Sequence, residues 1–294
     1  MTAVDPDAPL VRALLAEQHP DLAALEVTPL AAGWDNAVFR VGAHLTARLP
    51  RRSEAVALVA HEQRWLPELA PRLALPVPAP VRLGVAGCGF PWPWSLCPWL
   101  PGEPASTSPP HDGSLAARDL GAFLRSLHHP APPDAPANPY RGVPLAARAA
   151  RFADAAADLA GRPERVHPAT LAWAVDRWGQ LVDAPPWPGP PIWIHGDLHP
   201  HNLLVDHGRL SAVIDFGDLT AGDPATDLAV AWMLLDAHER SLLGSIAAHD
   251  DATWARAEAW AVALAVAYLE GSPDGSPMLG VAQRTLLELG ASPS

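Results

Sequence analysis

Two stretches decide the fold: IHGDLHPHNLLV, residues 194–205, and VIDFGD, residues 213–218. Each contains a short apolar run of the kind found in buried strands, and polar side chains follow that run at once. The first stretch supplies the carboxylate of Asp197 and the amide of Asn202, and the second supplies the carboxylate of Asp215. Mg²⁺ binds such hard oxygens, and a positioned carboxylate can orient an attacking hydroxyl. The pattern therefore indicates Mg²⁺-assisted phosphoryl transfer.

Three histidines of the first stretch raise the alternative of a zinc site: His195, His199 and His201. Gly196 and Pro200 interrupt the helix that a helical histidine pair would need. A zinc site would also leave the amide and the second carboxylate without a role. We therefore expect His195 to brace the loop rather than to bind a metal.

The complete pattern, His-Gly-Asp-x-x-x-x-Asn followed by Ile-Asp-Phe-Gly, resembles the aminoglycoside phosphotransferase and small-molecule kinase family, which is related to the protein kinases. The continuation GDPATDLA, residues 222–229, is also similar to this family. The resemblance implies that Asp197 is the catalytic base and that Asn202 and Asp215 hold Mg²⁺. It further implies that Asp227 supports the catalytic loop structurally.

The same resemblance implies that the amino-terminal half binds ATP or GTP. AGWDNAVFRV, residues 32–41, resembles the family's phosphate-covering turn, with Gly33 and Asn36 as nucleotide-binding candidates. The basic residue of the following strand, commonly Lys in the family, is Arg48 here. Its guanidinium fork can grip two phosphate oxygens. Its expected helix partner is Glu62, for which an unpaired surface position is the alternative.

CPWLPG, residues 97–102, resembles the family's hinge, where backbone groups read the purine edge. The resemblance implies that the carbonyl of Cys97 and the amide of Trp99 have this role. Cys97 has no neighbouring His or Lys in the sequence to activate its thiol, so a nucleophilic role is rejected.

The order of patterns predicts an α+β, two-lobed protein-kinase-like fold, with a small β-rich lobe followed by a larger, mainly helical lobe. The Pro- and Ser-rich stretch that begins at Leu100 marks the boundary. We place the nucleotide-binding lobe at residues 1–99 and the catalytic and substrate-binding lobe at residues 100–294.

Within the first lobe, the pattern predicts a hairpin over residues 37–49 with a tight turn at Gly42, and a helix over residues 53–69 with Ser53 as a candidate N-cap. In the second lobe, helical spacing predicts five helices, over residues 114–128, 145–159, 168–182, 225–235 and 252–269.

The charged residues exclude several classes of chemistry and of binding partner. The 294 residues carry 32 acidic and 20 basic side chains, a net charge of −12, and all the basic ones are Arg. The lack of Lys excludes Schiff-base chemistry, pyridoxal phosphate and a Walker-type loop. The acidity disfavours nucleic acid and anionic membranes as partners. No apolar run approaches the roughly 20 residues of a bilayer span. We expect a cytoplasmic monomer or dimer.

Two features of the sequence bear on the class of molecule that accepts the phosphoryl group. Seven acidic residues follow the metal-binding turn: Asp218, Asp223, Asp236, Glu239, Asp250, Asp251 and Glu258. Such a lobe would attract a polycationic aminoglycoside, the acceptor we expect first, although a solvated acidic surface is the alternative. The run RLPRR, residues 48–52, is similar to the macrolide phosphotransferase branch. A macrolide kinase, or a metabolic kinase for an amino alcohol or sugar, therefore stays open, as does a non-catalytic pseudokinase.

Overall fold

The computed structural model describes residues 4–290, and the chain divides into two compact units. The first unit comprises Met1–Leu100 with Asp215–Gly217, and the second comprises Pro101–Ile214 with Asp218–Ser294. The first unit contains a five-stranded sheet, and the second is mainly helical with two small sheets.

The first unit is built on an antiparallel sheet with the strand order β1-β2-β3-β5-β4. Its elements are α1 (Ala8–Gln18), β1 (Val27–Ala32), β2 (Asn36–Val41), β3 (Leu45–Pro50), α2 (Ala55–Leu69), β4 (Arg82–Gly84) and β5 (Trp94–Pro98). The predicted hairpin is confirmed as β2 and β3, and Gly42 adopts φ +56° in the turn between them. Apolar side chains of α1 pack with those of β2, β3 and β5 in one buried cluster.

Helix α2 begins at Ala55, and its cap differs from the prediction. Glu54, not Ser53, occupies the N-cap position, and no side chain caps the helix there. The Ser53 hydroxyl instead donates to a carboxylate oxygen of Glu54 at 3.1 Å. Glu54 has helical backbone angles, so the chain already turns helically before a serine cap could form.

The second unit contains a longer series of elements. They are β6 (Glu103–Pro104), α3 (Gly113–Leu127), α4 (Ala149–Ala160), α5 (Pro168–Leu181), β7 (Ile192–Ile194), β8 (Leu203–Asp206), β9 (Arg209–Val213), β10 (Thr220–Gly222), α6 (Ala225–Leu228), α7 (Val230–Leu234), α8 (Ala237–Ala247), α9 (Asp251–Gly271) and α10 (Pro277–Glu288). Strands β6, β8 and β9 form one sheet, and β7 pairs with β10 in the other. Helix α9 packs against α4, α5, α6 and α10.

The helices of this unit depart from the sequence prediction in two ways. The helix expected over residues 225–235 is broken into α6 and α7, and the amide of Trp232 donates to the carbonyl of Ala229, three residues back. Helices α8 and α10 are additional to the predicted set, although Asp236 and Glu239 form a complete capping box at the start of α8. No helix within residues 4–290 is long and apolar enough to cross a membrane.

Candidate active site

The loop that carries Asp197 connects β7 to β8 in the second unit. Gly196 adopts φ +86°, and a Cβ atom there would lie 2.3 Å from the carbonyl oxygen of Asp218. Only glycine fits this close approach of two backbones. The local sequence thus forces a sharp turn directly after the strand, and Asp197 follows that turn.

The loop is anchored from beneath by Asp227, whose side chain is fully buried. Its two carboxylate oxygens accept hydrogen bonds from the backbone amides of His195, at 2.7 Å, and Gly196, at 2.9 Å. The His195 ring is also fully buried, and its Nε2 lies 2.9 Å from the carbonyl oxygen of Ile214. These contacts give Asp227 and His195 bracing positions, because charge-assisted bonds of a buried carboxylate fix the backbone that they hold.

Asp197 lies between two side chains that can carry positive charge. Arg141 Nη2 lies 2.6 Å from Oδ1, and His199 Nε2 lies 3.3 Å from Oδ2. Burial alone would raise the pKa of Asp197, but Arg141 and then His199 outweigh it and hold this pKa well below its usual range. The carboxylate therefore stays ionised, which suits an acceptor of a hydrogen bond from a reacting hydroxyl.

Arg141 is a residue of the site that no sequence pattern indicated. It lies in the segment between α3 and α4, far along the chain from Asp197, and no motif marks it. Its Nε also lies 3.1 Å from Oδ2 of Asp218, whose Oδ1 accepts from Asn138 Nδ2 at 2.8 Å. The sequence feature that could have drawn attention to this position is the glycine after Arg141, because Gly142 adopts φ +64°, which other residues rarely do. Arg141 thus joins two carboxylates of the second unit.

Asn202 is a candidate metal ligand of the second unit. Its side chain is buried, and its Nδ2 donates to the backbone carbonyl of Asp197 at 2.9 Å. This bond orients the amide, so that Oδ1 is the atom left for a ligand. An amide oxygen is a donor that Mg²⁺ accepts, so the residue fits the predicted role chemically.

Asp215 belongs to the first unit, although in the chain it comes two residues after β9, which belongs to the second unit. Its backbone adopts φ +63°. Its side chain is 56% exposed, and its Oδ1 lies 2.6 Å from Nη2 of Arg48. A half-exposed carboxylate is the hard oxygen donor that Mg²⁺ binds in nucleotide sites. The chemistry of this residue therefore also fits the predicted role.

The predicted partner of Arg48 is present. Nη1 of Arg48 lies 3.2 Å from Oε1 of Glu62, and Glu62 is almost fully buried. Burial raises the pKa of Glu62 to about 7, against the opposing effect of Arg48. With the Asn36 amide oxygen assigned to the side that faces Arg48, it accepts from Nη2 at 3.0 Å and from Nε at 3.2 Å. Glu62 is not a surface residue, and Asn36 contributes to the orientation of Arg48.

The turn between β1 and β2 is held by the arginines that follow β3. The amide of Gly33 donates to the carbonyl of Asn36 at 2.9 Å, and the Gly33 carbonyl accepts from Arg51 Nη1 at 2.8 Å. Arg52 pairs with Asp35 of the same turn. Arg51 and Arg52 thus hold the turn, and Arg51 also pairs with Asp5, whereas Arg48 contacts the carboxylates of Glu62 and Asp215.

The hinge prediction needs a correction of one residue. The amide of Trp99 donates to the carbonyl of His44 at 2.8 Å, so Trp99 cannot offer this amide to a purine. Cys97 pairs with Thr46 in the same ladder, and the Thr46 hydroxyl donates to the Cys97 carbonyl at 3.4 Å. Because backbone groups alternate in direction along a strand, these two residues face β3.

The outward-facing groups of this segment are therefore the carbonyl of Pro98 and the amide of Leu100. The Leu100 amide makes no hydrogen bond to any residue between 4 and 290. The Cys97 side chain is buried, and burial raises the pKa of its thiol to about 12, which agrees with the rejection of a nucleophilic role.

The three histidines of the catalytic loop do not share one centre. His195 contacts the carbonyl of Ile214, His199 contacts Asp197, and Nδ1 of His201 lies 3.0 Å from the hydroxyl of Ser106. Within residues 4–290 no three His, Cys, Asp or Glu side chains form a group that could hold a metal ion.

Most of the acidic residues that follow the predicted metal-binding turn have partners within the second unit. Three pair with arginines: Asp218 with Arg141, Asp223 with the buried Arg256, and Glu258 with Arg177. Three more hold helix N-termini: Asp236 and Glu239 at α8, and Asp250 at α9. Only Asp251 of the predicted set lacks such a role among the described residues. The expected acidic surface is therefore largely neutralised.

The first unit contains a β-sheet with an Arg–Glu pair, and the second is mainly helical and contains an aspartate loop braced by buried side chains. Each of these features is typical of kinase-like phosphotransferases. The family model described as "Phosphotransferase enzyme family" matches residues 26–260. The chain belongs to this family, and the predicted membership is confirmed.

Individual relatives agree with this assignment. The aminoglycoside 3'-phosphotransferase of Escherichia coli is 28% identical over 153 residues, which are 51% of this chain and 55% of that protein. The chain thus spans about half the length of the curated relatives it matches.

Solved structures are similar over more of the chain. The GDP and kanamycin complex of APH(2″)-IIia matches 95% of this chain and 97% of its own, with a TM-score of 0.69 and 20% identity. The apoenzyme of macrolide 2'-phosphotransferase MphH from Brachybacterium faecium matches 98% and 99%, with a TM-score of 0.61 and 22% identity. At these identities the likeness shows the fold, and it confirms the predicted α+β, kinase-like class.

Proposed function

We propose that the protein transfers the γ-phosphoryl group of ATP or GTP to a hydroxyl group of a small molecule. The observation that carries this proposal is the position of Asp197, which pairs with Arg141 at 2.6 Å on a loop that Asp227 anchors through two backbone amides. Phosphoryl transfer asks mainly for alignment and charge, and a rigidly placed hydrogen-bond acceptor supplies the alignment of the nucleophile.

In this reaction the acceptor oxygen forms a bond to the γ-phosphorus while the bond between that phosphorus and the β,γ-bridging oxygen breaks. The acceptor's proton passes to Oδ2 or Oδ1 of Asp197, and a nucleoside diphosphate leaves. Because the pKa of Asp197 is low, the carboxylate orients the hydroxyl first and takes the proton late, as a loose transition state allows.

The first unit provides the nucleotide-binding groups of the proposal. Arg48, oriented by Glu62 and Asp215, would contact phosphate oxygens. The Pro98 carbonyl and the Leu100 amide would read the purine edge. Gly33 would lie in the turn that covers the phosphates. When bound, Mg²⁺ would neutralise phosphate charge, and Asp215 and Asn202 are the residues whose oxygens suit it.

The acceptor class is taken from the relatives' names as a set of candidates. The matched E. coli protein is named as an aminoglycoside phosphotransferase, and one structural neighbour is named as a macrolide phosphotransferase. We propose these two kinds of hydroxylated antibiotic as the first acceptors to be tested, with amino alcohols and sugars after them.

The proposal is tested with Asp197→Asn in a panel of these acceptors, by measuring ADP or GDP release. We expect turnover to fall by ~10²–10⁴-fold, the usual contribution of a general base, while calorimetry shows unchanged nucleotide binding. Asp158→Asn is the matched control, because this carboxylate pairs with Arg162 on the surface of the same unit. Full turnover by Asp197→Asn would refute the assignment. Nucleotide binding by the wild type without turnover of any acceptor would favour the pseudokinase instead.

A further inference from the structure

A fixed positive charge stands next to the proposed catalytic base. The Arg141 guanidinium contacts Asp197 through Nη2, at 2.6 Å, and Asp218 through Nε, at 3.1 Å. The three side chains are partly exposed, at 18%, 28% and 30% respectively, so all of them present surface to an incoming molecule. Any acceptor whose hydroxyl reaches Asp197 therefore meets Arg141 as well.

The backbone next to Arg141 is tightly held. The Gly142 amide donates to the Thr226 hydroxyl at 3.0 Å, and the Gly142 carbonyl accepts from the Asp223 amide at 3.0 Å. A Cβ atom at position 142 would lie 2.9 Å from the Cα atom of Gly222. The fold thus fixes the backbone from which the guanidinium reaches the two carboxylates.

The charges next to Asp197 partly cancel. Asp197 and Asp218 contribute two negative charges and Arg141 returns one, while Asn138 satisfies the other oxygen of Asp218. The acidic residues that follow are committed to arginine pairs and helix caps, as described above. A molecule with several ammonium groups would therefore find a guanidinium where it needs a carboxylate.

Two donors of this region lack a partner within residues 4–290. Nη1 of Arg141 makes no hydrogen bond, since its two bonds use Nε and Nη2. The buried hydroxyl of Tyr268 also has none, and the Tyr268 ring stacks edge-on against His199, with 5.8 Å between centroids. Burial raises the pKa of Tyr268, so its hydroxyl stays protonated. The partly exposed Arg141 guanidinium can donate from Nη1 to an ether, carbonyl or hydroxyl oxygen of a ligand.

We propose that Arg141 is a specificity-determining residue of the acceptor site, which selects an oxygen-rich hydroxylated acceptor with at most one positive charge and rejects polycations. The proposal rests on the proposed function, because it takes Asp197 as the residue that receives the hydroxyl. It deepens that function by ranking the two candidate antibiotic classes, with a singly charged macrolide above a polycationic aminoglycoside.

The test compares erythromycin, which has one amine, with kanamycin, which has several. Turnover and binding are measured for the wild type, Arg141→Gln, Arg141→Lys and the control Arg177→Gln. The control also removes one positive charge from the second unit, but its ion pair is with Glu258. The wild type should prefer erythromycin. Arg141→Gln should lower the KM and Kd for kanamycin by ~10-fold or more and raise those for erythromycin, as expected for a local charge change.

Arg141→Lys should retain most of the wild-type preference, because it keeps the charge, and Arg177→Gln should behave as the wild type. A wild type that prefers kanamycin, or an Arg141→Gln variant that changes both antibiotics equally, would overturn the inference while leaving the phosphotransferase proposal intact. If Arg141→Gln does not fold, the inference is still tested by which of the two antibiotics the wild type and Arg141→Lys prefer. Absence of turnover with every acceptor would count against the proposed function itself. The Kd values for erythromycin and kanamycin, measured by calorimetry, would then test the role of Arg141 separately.

Discussion

Arg48 and Glu62 form an ion pair inside the first unit, with 3.2 Å between Nη1 and Oε1 and side-chain exposures of 12% and 4%. The same guanidinium contacts Asp215 through Nη2 at 2.6 Å. One arginine is thus held by two carboxylates on different segments of the chain. Because the chain contains no Lys, the cation that these two carboxylates hold is a planar guanidinium.

The first prediction concerns this cation. Arg48→Ala should raise the KM for the nucleotide and lower kcat by ~10²-fold or more, because a charge that stabilises the transferring phosphates is lost. Arg48→Lys should recover part of the activity, and Glu62→Gln should be milder than Arg48→Ala. Steady-state kinetics with varied nucleotide measures all three. Arg64→Ala, which removes a surface arginine of α2, is the control. Wild-type kinetics for Arg48→Ala would refute the nucleotide role.

The second prediction concerns pH. The pKa of Glu62 is about 7 in the folded protein, above its ordinary value of 4.5, because of burial. The folded state then binds this proton more tightly than the unfolded state, so the associated stability is present at low pH and is lost as the pH rises through about 7.

The free energy of unfolding of the wild type, relative to Glu62→Gln, should therefore fall by up to about 3 kcal/mol between roughly pH 4.5 and pH 7. Urea unfolding of both proteins over this range measures the difference, in which other titrating groups cancel. A difference that stays constant with pH, or that rises with it, would show that Glu62 is ionised throughout.

The third prediction compares two glycines of the second unit. A Cβ at Gly142 would lie 2.8 Å from Ile194 Cδ1, and the backbone there has φ +64°. Gly142→Ala should lower the free energy of unfolding by about 2 kcal/mol or more, and it should displace Arg141. Gly179 lies in α5, and a Cβ atom there would have no other atom within 4 Å. Gly179→Ala should raise the free energy of unfolding by about 0.5 kcal/mol.

Thermal or urea denaturation of the two alanine variants measures this contrast. Equal stability of the two variants would mean that the close approach at position 142 relaxes without cost. It would also remove the argument that Gly142 holds Arg141 in place.

Local patterns are enough to predict the elements whose signals lie close together in the chain. The β2–β3 hairpin follows from alternation around Gly42, and the loop with Asp197 and Asn202 follows from a strand interrupted by glycine and proline. The capping box of α8 is an equally local signal, because its two side chains lie three residues apart, but the prediction from sequence did not include this helix. The pairing of Arg48 with Glu62 was predicted from the family resemblance, because the two residues lie on different elements, β3 and α2.

Contacts between distant segments of the chain followed only from the three-dimensional fold. The hinge register depends on whether the backbone of Trp99 or of Leu100 faces β3, because a shift of one residue reverses the direction of every backbone group. The hydrogen bond from the Trp99 amide to the His44 carbonyl shows that Trp99 faces β3. The fate of the downstream carboxylates depends on partners such as Arg256 and Arg177. Arg141 meets Asp197 only because Gly142 packs against β7 and β10. Sequence spacing carries no information on such contacts, because they form when separate elements pack against one another.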